Sequence, residues 1–396
     1  MSLIRNSNKL RFSDDKVTVS VEGVTYKTFK SVNVVRTIDD VAGSFSVAIS
    51  KPSGTVKDFK TGNIIFIKLD GVQVMRGKIY EIKVIGDSGN KGILLSGRDI
   101  TGDLIDSSVP DGSKVFTDGV TLIAIAEKII TSLGLNVVMR VLDKSGGKIQ
   151  PFSKVEIVSC QVGDTVIEFL SKYCRKRQLF LNTDAFSNLI LFKATGEDTG
   201  NRIINQDIDN ENNVISYKVK SNISKRFNKY ICKVQDSDAW VGGGDSTVDA
   251  VGVAFDPAIQ GSRIHEFKME EESPSSEECR KRAAEESNVR RARGFEYIVT
   301  VQGFKDKVTW AVNQFVTVSD DKAGVYGVFL IKGVEFKLDS TRGRFTKLTI
   351  VTKDAYTAEA AVNLRTSKEQ NAGNKWQSSV RGIVEEVKSF LEKDIL

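Results

Sequence analysis

The sequence predicts an α+β fold that is mainly β: two similar small antiparallel β-barrel modules, an α+β middle module and a carboxy-terminal helix. Three observations lead there. Apolar and polar residues alternate with period two from Val17 to Asp99, and again past Val214, between Gly, Asp and Asn turn signals. Between these regions the period lengthens to that of a helix. The last strand region also follows the first in its order of strands and turns.

In the first region the alternation marks strands at Val17 to Val21, Lys30 to Arg36, Ser44 to Ser50, Ile64 to Leu69, Gly77 to Ile85 and Gly92 to Gly97, with Asp87-Ser88-Gly89-Asn90 as a hairpin connection. Leu122, Ile125, Ala126, Ile129, Ile130 and Leu133 then form one helical stripe, stopped by Gly134. Thr165 and Glu168 stand at capping-box spacing ahead of Val166, Phe169, Leu170, Tyr173 and Cys174, and Arg175-Lys176-Arg177 suits that helix's negative end. Strand-like pieces at Val137 to Leu142, Leu179 to Asn182 and Leu189 to Lys193 make this middle stretch an α+β module. Strands return at Val214 to Val219 and Tyr230 to Val234. The loop Gly242-Gly243-Gly244-Asp245 is expected to be mobile or ordered by a partner. One exposed helix is expected over Ser275 to Arg293, followed by strands at Phe295 to Gln302, Gln314 to Ser319, Val328 to Leu338 and Phe345 to Lys353. The expected domains are 1–98, 99–212, 213–356 with an inserted loop and helix at about 240–294, and 357–396 as linker and amphipathic helix.

The internal echo sets IIFIKLDGVQVMRGKIYEIKVIGDSGNKGILLSGRD beside FVTVSDDKAGVYGVFLIKGVEFKLDSTRGRFTKLTIVTKD. Both run strand, Asp turn, short link, then a long hairpin with Gly at its tip and Asp at its exit. Duplication of one module explains this order; a chance likeness of two meanders is the other explanation. If it is duplication, three subunits in a ring present six similar modules, which matches a sixfold partner on one face and a threefold one on the other.

Composition narrows the function. A chain of 396 residues, 40% apolar and 27% charged, has enough material for a multidomain core, and its net charge of +6 is too mild and too interspersed to mark a nucleic-acid binder. The opening MSLIRNSNKLRF lacks an apolar run of signal-peptide length, and no later stretch reaches bilayer length, so no stable membrane insertion is expected. Cys160, Cys174, Cys232 and Cys279 have neither CxxC spacing nor a nearby histidine and read as reduced thiols, so no metal site and no cofactor is expected.

Candidate chemistry is sparse, and no catalytic residue is assigned. His265 is the single histidine, in the strand-like SRIHEFKM, and a surface or interface position suits it better than a triad. Asp99 with Asp103 and Asp106, or Glu270-Glu271-Glu272, could form a glycosidase pair only if a cleft brought them together. Gly97-Arg98-Asp99 lacks phosphate-loop spacing and reads instead as a structural fastening at the first barrel's exit, with Arg98 and Asp99 hydrogen bonding there. The clusters Arg175-Lys176-Arg177 and Arg290-Arg291-Ala292-Arg293 fit helix ends better than DNA contacts. Near the carboxy terminus Trp376, Val380, Ile383, Val387 and Phe390 recur at steps of four and three. They form a partner-helix seam too short to stand alone, docking either on another subunit or on its own barrel.

LLSGRDITGDLIDSSV, at Leu94 to Val109, resembles the signature that follows the first barrel in central baseplate hub proteins of Mu-like contractile-tailed phages. The opening VTVSVEGVTYKTFKSVNVVRTIDDVAGSFSVAIS, the mid-chain SKRFNKYICKVQ, and RRARGFEYIVTVQGF with FLIKGVEFKLD resemble the same family in the same order. The resemblance implies a homotrimeric ring with tube-like barrels that joins the sixfold tail tube protein to a trimeric spike protein. It also implies an axial channel through which DNA passes transiently, and residence in the virion's tail baseplate after assembly in the host cytoplasm. Other baseplate subunits are further candidate partners. A hub of a phage-like bacteriocin or secretion device, and a baseplate-associated cell-wall hydrolase, are the alternative readings. The Trp240 to Val253 loop and the tail beyond Tyr356 depart from the family pattern.

Overall fold

Alternation becomes burial in the first strand, β1 (Val17–Val21), where three valines are buried and the residues between them half-buried. The computed structural model describes residues 17–27, 29–50, 59–86, 91–117, 119–142, 157–176, 179–193, 195–206, 211–234, 250–269, 275–340, 342–353 and 355–356. The chain divides into two units, one comprising Met1–Cys174, Leu181–Phe192 and Glu335–Thr346, the other Arg175–Phe180, Lys193–Val334 and Lys347–Leu396.

In the first unit β1 is followed by β2 (Val24–Tyr26), β3 (Ser31–Thr37), β4 (Ser44–Ser50), β5 (Ile64–Leu69), β6 (Val72–Gly86) and β7 (Lys91–Asp99). Their spatial order is β3-β4-β7-β6-β5-β1-β2, with antiparallel neighbours throughout. Asp70 and Gly71 turn β5 into β6 with φ of 48° and 81°, the left-handed pair that a tight hairpin requires. Val34, Val47, Ile65, Ile67, Met75, Ile79 and Leu95 are fully buried on the inner face, each stabilising by about 1.5–3 kcal/mol.

The middle elements are α1 (Gly102–Asp106), a 3₁₀ turn at Asp111–Ser113, β8 (Val115–Phe116), α2 (Leu122–Ser132), β9 (Met139–Leu142), β10 (Val158–Ser159), α3 (Val166–Lys176), β11 (Phe180–Thr183) and β12 (Leu189–Phe192). Thr121 caps α2 by accepting from the Ala124 amide at 3.2 Å, and Gly134 ends it at φ 64°. At α3 the expected capping box is present: Thr165 accepts from the Glu168 amide at 3.3 Å, and Glu168 from the Thr165 amide at 2.9 Å. β12 runs parallel to β9.

The second unit holds β13 (Glu197–Asn205), β14 (Val214–Ser221), β15 (Lys229–Val234), β16 (Ala250–Phe255), β17 (Ile264–Lys268), α4 (Ser276–Gly294), β18 (Phe295–Gln302), β19 (Gln314–Asp320) and the greater part of β20 (Val325–Asp339) and β21 (Gly343–Thr352), whose stretch Glu335–Thr346 is counted with the first unit. Its main sheet runs β14-β18-β21-β20-β19-β13. Strand for strand, this is the order β3-β4-β7-β6-β5-β1 of the first unit, and the central strands β6 and β20 are each 15 residues long. The echo in sequence is therefore an echo in topology.

The two sheets differ in three ways. β13 pairs with β19 in parallel whereas β1 pairs with β5 antiparallel, so the expected antiparallel pattern fails at that strand. Among the described residues β2 has no counterpart in the second sheet. β3 joins β4 through residues 38–43, while the equivalent step from β14 to β18 carries the sheet β16-β15-β17 and α4.

Several expectations are corrected. The second sheet begins with β13, not at residue 213, because the polar EDTGN, which reads as a turn, enters the strand through a register shift at Gly200, φ 69°. The Trp240 to Val253 loop is shorter than expected, since residues 250–253 belong to β16; residues 235–249 lie outside the described residues. The helix at 275 is not fully exposed. Cys279, Ala283, Ala284, Ser287 and Asn288 bury a face against the sheet, and these small or polar residues gave no apolar stripe to read. There the helix meets β16 at Gly252, where an added Cβ would stand 2.0 Å from both the Cys279 carbonyl carbon and the Arg280 amide nitrogen.

Candidate structural site at the end of strand β7

Inward and outward positions alternate along β7, so Ile93, Leu95, Gly97 and Asp99 share the core face while Arg98 points the other way. The predicted trio is thereby split. Gly97 lies opposite Phe45, whose buried ring crosses it: a Cβ there would approach the Lys78 carbonyl oxygen to 2.0 Å and the ring to 2.9 Å. Gly77 leaves room for the same ring, with Phe45 Cε1 2.6 Å from its virtual Cβ.

Asp99 is fully buried, and its partner is Arg36 on β3, which sequence reasoning did not single out. Arg36 Nη2 donates to Asp99 Oδ1 at 2.9 Å and to the Asp184 carbonyl at 3.2 Å, Nη1 donates to the Thr183 carbonyl at 2.7 Å, and Nε to the Val74 carbonyl at 3.0 Å. The Gly43 amide donates to Asp99 Oδ2 at 2.7 Å. One guanidinium thus ties β3, β6, β7 and the β11–β12 turn together. Asn182 adds bonds to the Thr37 and Asp40 carbonyls at 2.7 and 3.0 Å, and the Thr101 and Thr183 hydroxyls meet at 2.6 Å. The signal for this network was present: Arg36 falls in the inward phase set by Val32 and Val34, where a buried cation requires an anion.

Burial pushes the Asp99 carboxyl up to about 6 against the lowering pull of Arg36 and the Gly43 amide. Between the ordinary carboxylate value near 4 and about 6 the folded state holds a proton that the unfolded state has released. Stability contributed by this group is thus full below pH 4 and lost as pH rises through 6. In urea titrations the stability difference between wild type and Asp99→Asn should shrink over that interval and level off above it. A difference that grows would contradict this assignment.

On the outer side Arg98 pairs with Asp106 and lies over the Tyr80 ring, 4.9 Å from its centroid. Tyr80 is the extra residue of a β-bulge between Ile79 and Glu81. Its hydroxyl donates to Asp103 Oδ1 at 3.0 Å, and Lys78 donates to Asp103 Oδ2 at 2.8 Å. Burial, then the Asp103 carboxylate, pushes the Tyr80 phenol up to about 12. Asp99, Asp103 and Asp106 thus each have a cationic partner, and Asp99 faces away from the other two, so they do not form an acid and base pair across a cleft. Glu270 to Glu272 lie outside the described residues, as does the seam Trp376, Val380, Ile383, Val387 and Phe390.

The remaining candidates are structural in their surroundings. His265 stacks between Phe227 and Phe267 at 4.9 and 5.4 Å, with Arg290 Nη2 3.0 Å from its Nε2; burial and that guanidinium push the imidazole down. Arg290 pairs with Glu286 at 2.7 Å, and Arg291 reaches the buried Asp256 at 3.5 Å. Cys174, Cys232 and Cys279 are buried and Cys160 is half-buried, all four outside any disulfide, and the Cys232 and Cys279 thiols each lie 3.8 Å from Met269 Sδ. In the second unit Asp320, at the inward end of β19, accepts from Asn205 at 2.9 Å, the Ala323 amide at 2.8 Å and the Tyr297 hydroxyl. No helix among the described residues is long and apolar enough to cross a membrane.

The fold defines a β-rich protein of two like modules, with a buried ion pair fastening the first, and comparison with known proteins shows what it is similar to. Residues 16–99 match the Mu phage baseplate assembly protein GpP-like N-terminal family, and residues 101–193 match the second domain of the baseplate hub protein gp44-like family. Baseplate hub protein gp44 of Escherichia phage Mu is 22% identical over 93% of this chain and 95% of its own length. The 43 kDa tail protein of prophage MuSo2 from Shewanella oneidensis shares the fold at TM-score 0.74 and 23% identity, covering 86% of this chain and 99% of that one. The tail protein from Neisseria meningitidis MC58 does so at 0.73 and 22%, covering 87% and 98%. Residues 16–193 thus match baseplate family models, and the chain is similar over nearly its whole length to a baseplate hub protein of a Mu-like phage.

Proposed function

We propose that three copies of this chain close into a ring at the end of the tail tube. The ring's six strand modules meet the sixfold tube protein, and its other face meets a trimeric spike. The observation that carries the reading is the strand-for-strand repetition of one sheet order within a single chain, because a duplicated module lets a threefold ring imitate a hexamer. The role is mechanical and non-catalytic, exercised in the baseplate of the assembled virion, with an axial passage that DNA crosses without being held. The expected domains at 1–98, 99–212, 213–356 and 357–396 are part of the proposal, with β13 (Glu197–Asn205) moved from the middle module to the second strand module, as is the fastening of the first module's exit by Gly97, Arg98 and Asp99. So is a docking helix carrying Trp376, Val380, Ile383, Val387 and Phe390, which deletion after Gly373 would remove.

Class averages from electron microscopy of the purified full chain, with native mass measurement, test the reading. A trimer with six similar lobes is expected. A monomer at micromolar concentration, or a ring without sixfold modulation, would overturn it.

A further inference from the structure

Sulfur is scarce in this chain, with four cysteines and four methionines in 396 residues, yet three of those side chains converge within the insertion between β14 and β18. Cys232 Sγ on β15 and Cys279 Sγ on α4 each lie 3.8 Å from the Sδ of Met269, one residue past β17. Separate features of the fold bring them there. Gly252 stands opposite Cys232 in the β15–β16 register and has no side chain, so the α4 backbone at Cys279 settles directly onto the sheet. The Met269 amide donates to the Lys233 carbonyl at 2.9 Å, which carries the β15–β17 pairing one residue further and holds Met269 to the inner face. Cys232 and Cys279 are fully buried and Met269 nearly so, among apolar neighbours that include Val234, Ala250 and Ala283.

We propose that Cys232, Cys279 and Met269 form a three-coordinate site for one monovalent copper ion. Two thiolates and a thioether are the soft donor set that Cu(I) prefers, whereas Zn(II) would lack the fourth ligand of a structural site. Three sulfurs each about 2.3 Å from one ion in a plane stand about 4 Å apart, close to the two separations of 3.8 Å. Binding breaks both S–H bonds: the protons pass to solvent, the sulfur lone pairs take the ion, and no electron is transferred. Cys279 belongs to the first turn of α4, whose positive end favours the thiolate. The bound ion ties β15, α4 and the end of β17 together, a staple for an insertion whose core is built largely of small residues.

The test titrates the purified full chain anaerobically with Cu(I) against the chelator bathocuproine disulfonate. One ion per chain is expected, and X-ray absorption should show a shell of sulfur alone, three atoms at about 2.3 Å. Met269→Leu conserves core volume and should weaken binding at least tenfold while leaving two sulfurs on any ion retained. Cys279→Ala should abolish binding, and Cys160→Ala should leave it unchanged, each with the circular dichroism of the wild type. In hydrogen exchange the loaded wild type should gain protection over residues 276–291 and β15 to β17, and Met269→Leu should gain less. No ion held against the chelator, equal affinity in Met269→Leu, nitrogen or oxygen in the shell, or protection gained only elsewhere would each overturn the site. The ring reading above stands or falls separately.

Discussion

Replacing Arg36 with alanine is expected to destabilise the first unit by about 3–5 kcal/mol, the usual cost of breaking a buried ion pair from one side. Three of its donors serve the Val74, Thr183 and Asp184 carbonyls as well as Asp99, so the substitution strands a carboxylate and three acceptors in a dry interior. At neutral pH the abandoned carboxyl must either take up a proton or draw in water. A melting temperature lower by on the order of 10 °C should follow for a unit of this size. The companion double variant Arg36→Met with Asp99→Leu removes both charges and should lose less than Arg36→Ala alone. Should calorimetry find Arg36→Ala within about 1 kcal/mol of wild type, the buried network contributes little and the site loses its rationale.

The second large effect is expected at Gly252. A methyl group added there meets the backbone of α4 at 2.0 Å, and a backbone contact, unlike one with a side-chain tip, has no rotamer to retreat into. Gly252→Ala should therefore lift α4 off β15 and β16 at a cost of roughly 3 kcal/mol or more. Hydrogen exchange gives the local readout: amides of residues 276–291 and of β15 to β17 should exchange much faster, while those of β4, β6 and β7 keep their protection. Unchanged protection over α4 would show that the helix can yield, and would refute the close backbone approach.

Much of this architecture was open to reading because its determinants are local. Val17, Val19 and Val21 declare a strand with one buried face; Thr165 with Glu168 declares a helix start; Gly134 declares an end. The likeness of the two strand regions was visible as an order of elements, and that order survives in the sheets. Other features depended on contacts far apart in the chain. Arg98 was singled out at the strand exit because it adjoins Asp99, yet neighbours on a strand face opposite ways, and the cation that meets Asp99 comes from 63 residues earlier. Following the phase of alternation through Val32 and Val34 to Arg36 would have found it. The packing of α4 was hidden for another reason: a helix that approaches a glycine needs small residues such as Cys279 and Ala283, and small residues leave little hydrophobic contrast.

The two 15-residue strands bear on how such a molecule carries load. Each would extend about 50 Å at the usual rise, and each is flanked on both sides, β6 by β5 and β7, β20 by β19 and β21. Pulling along either strand shears its lateral hydrogen bonds together, whereas peeling from an end opens them one after another. The same residues are therefore stiff against a lengthwise thrust and weak against a sideways tear.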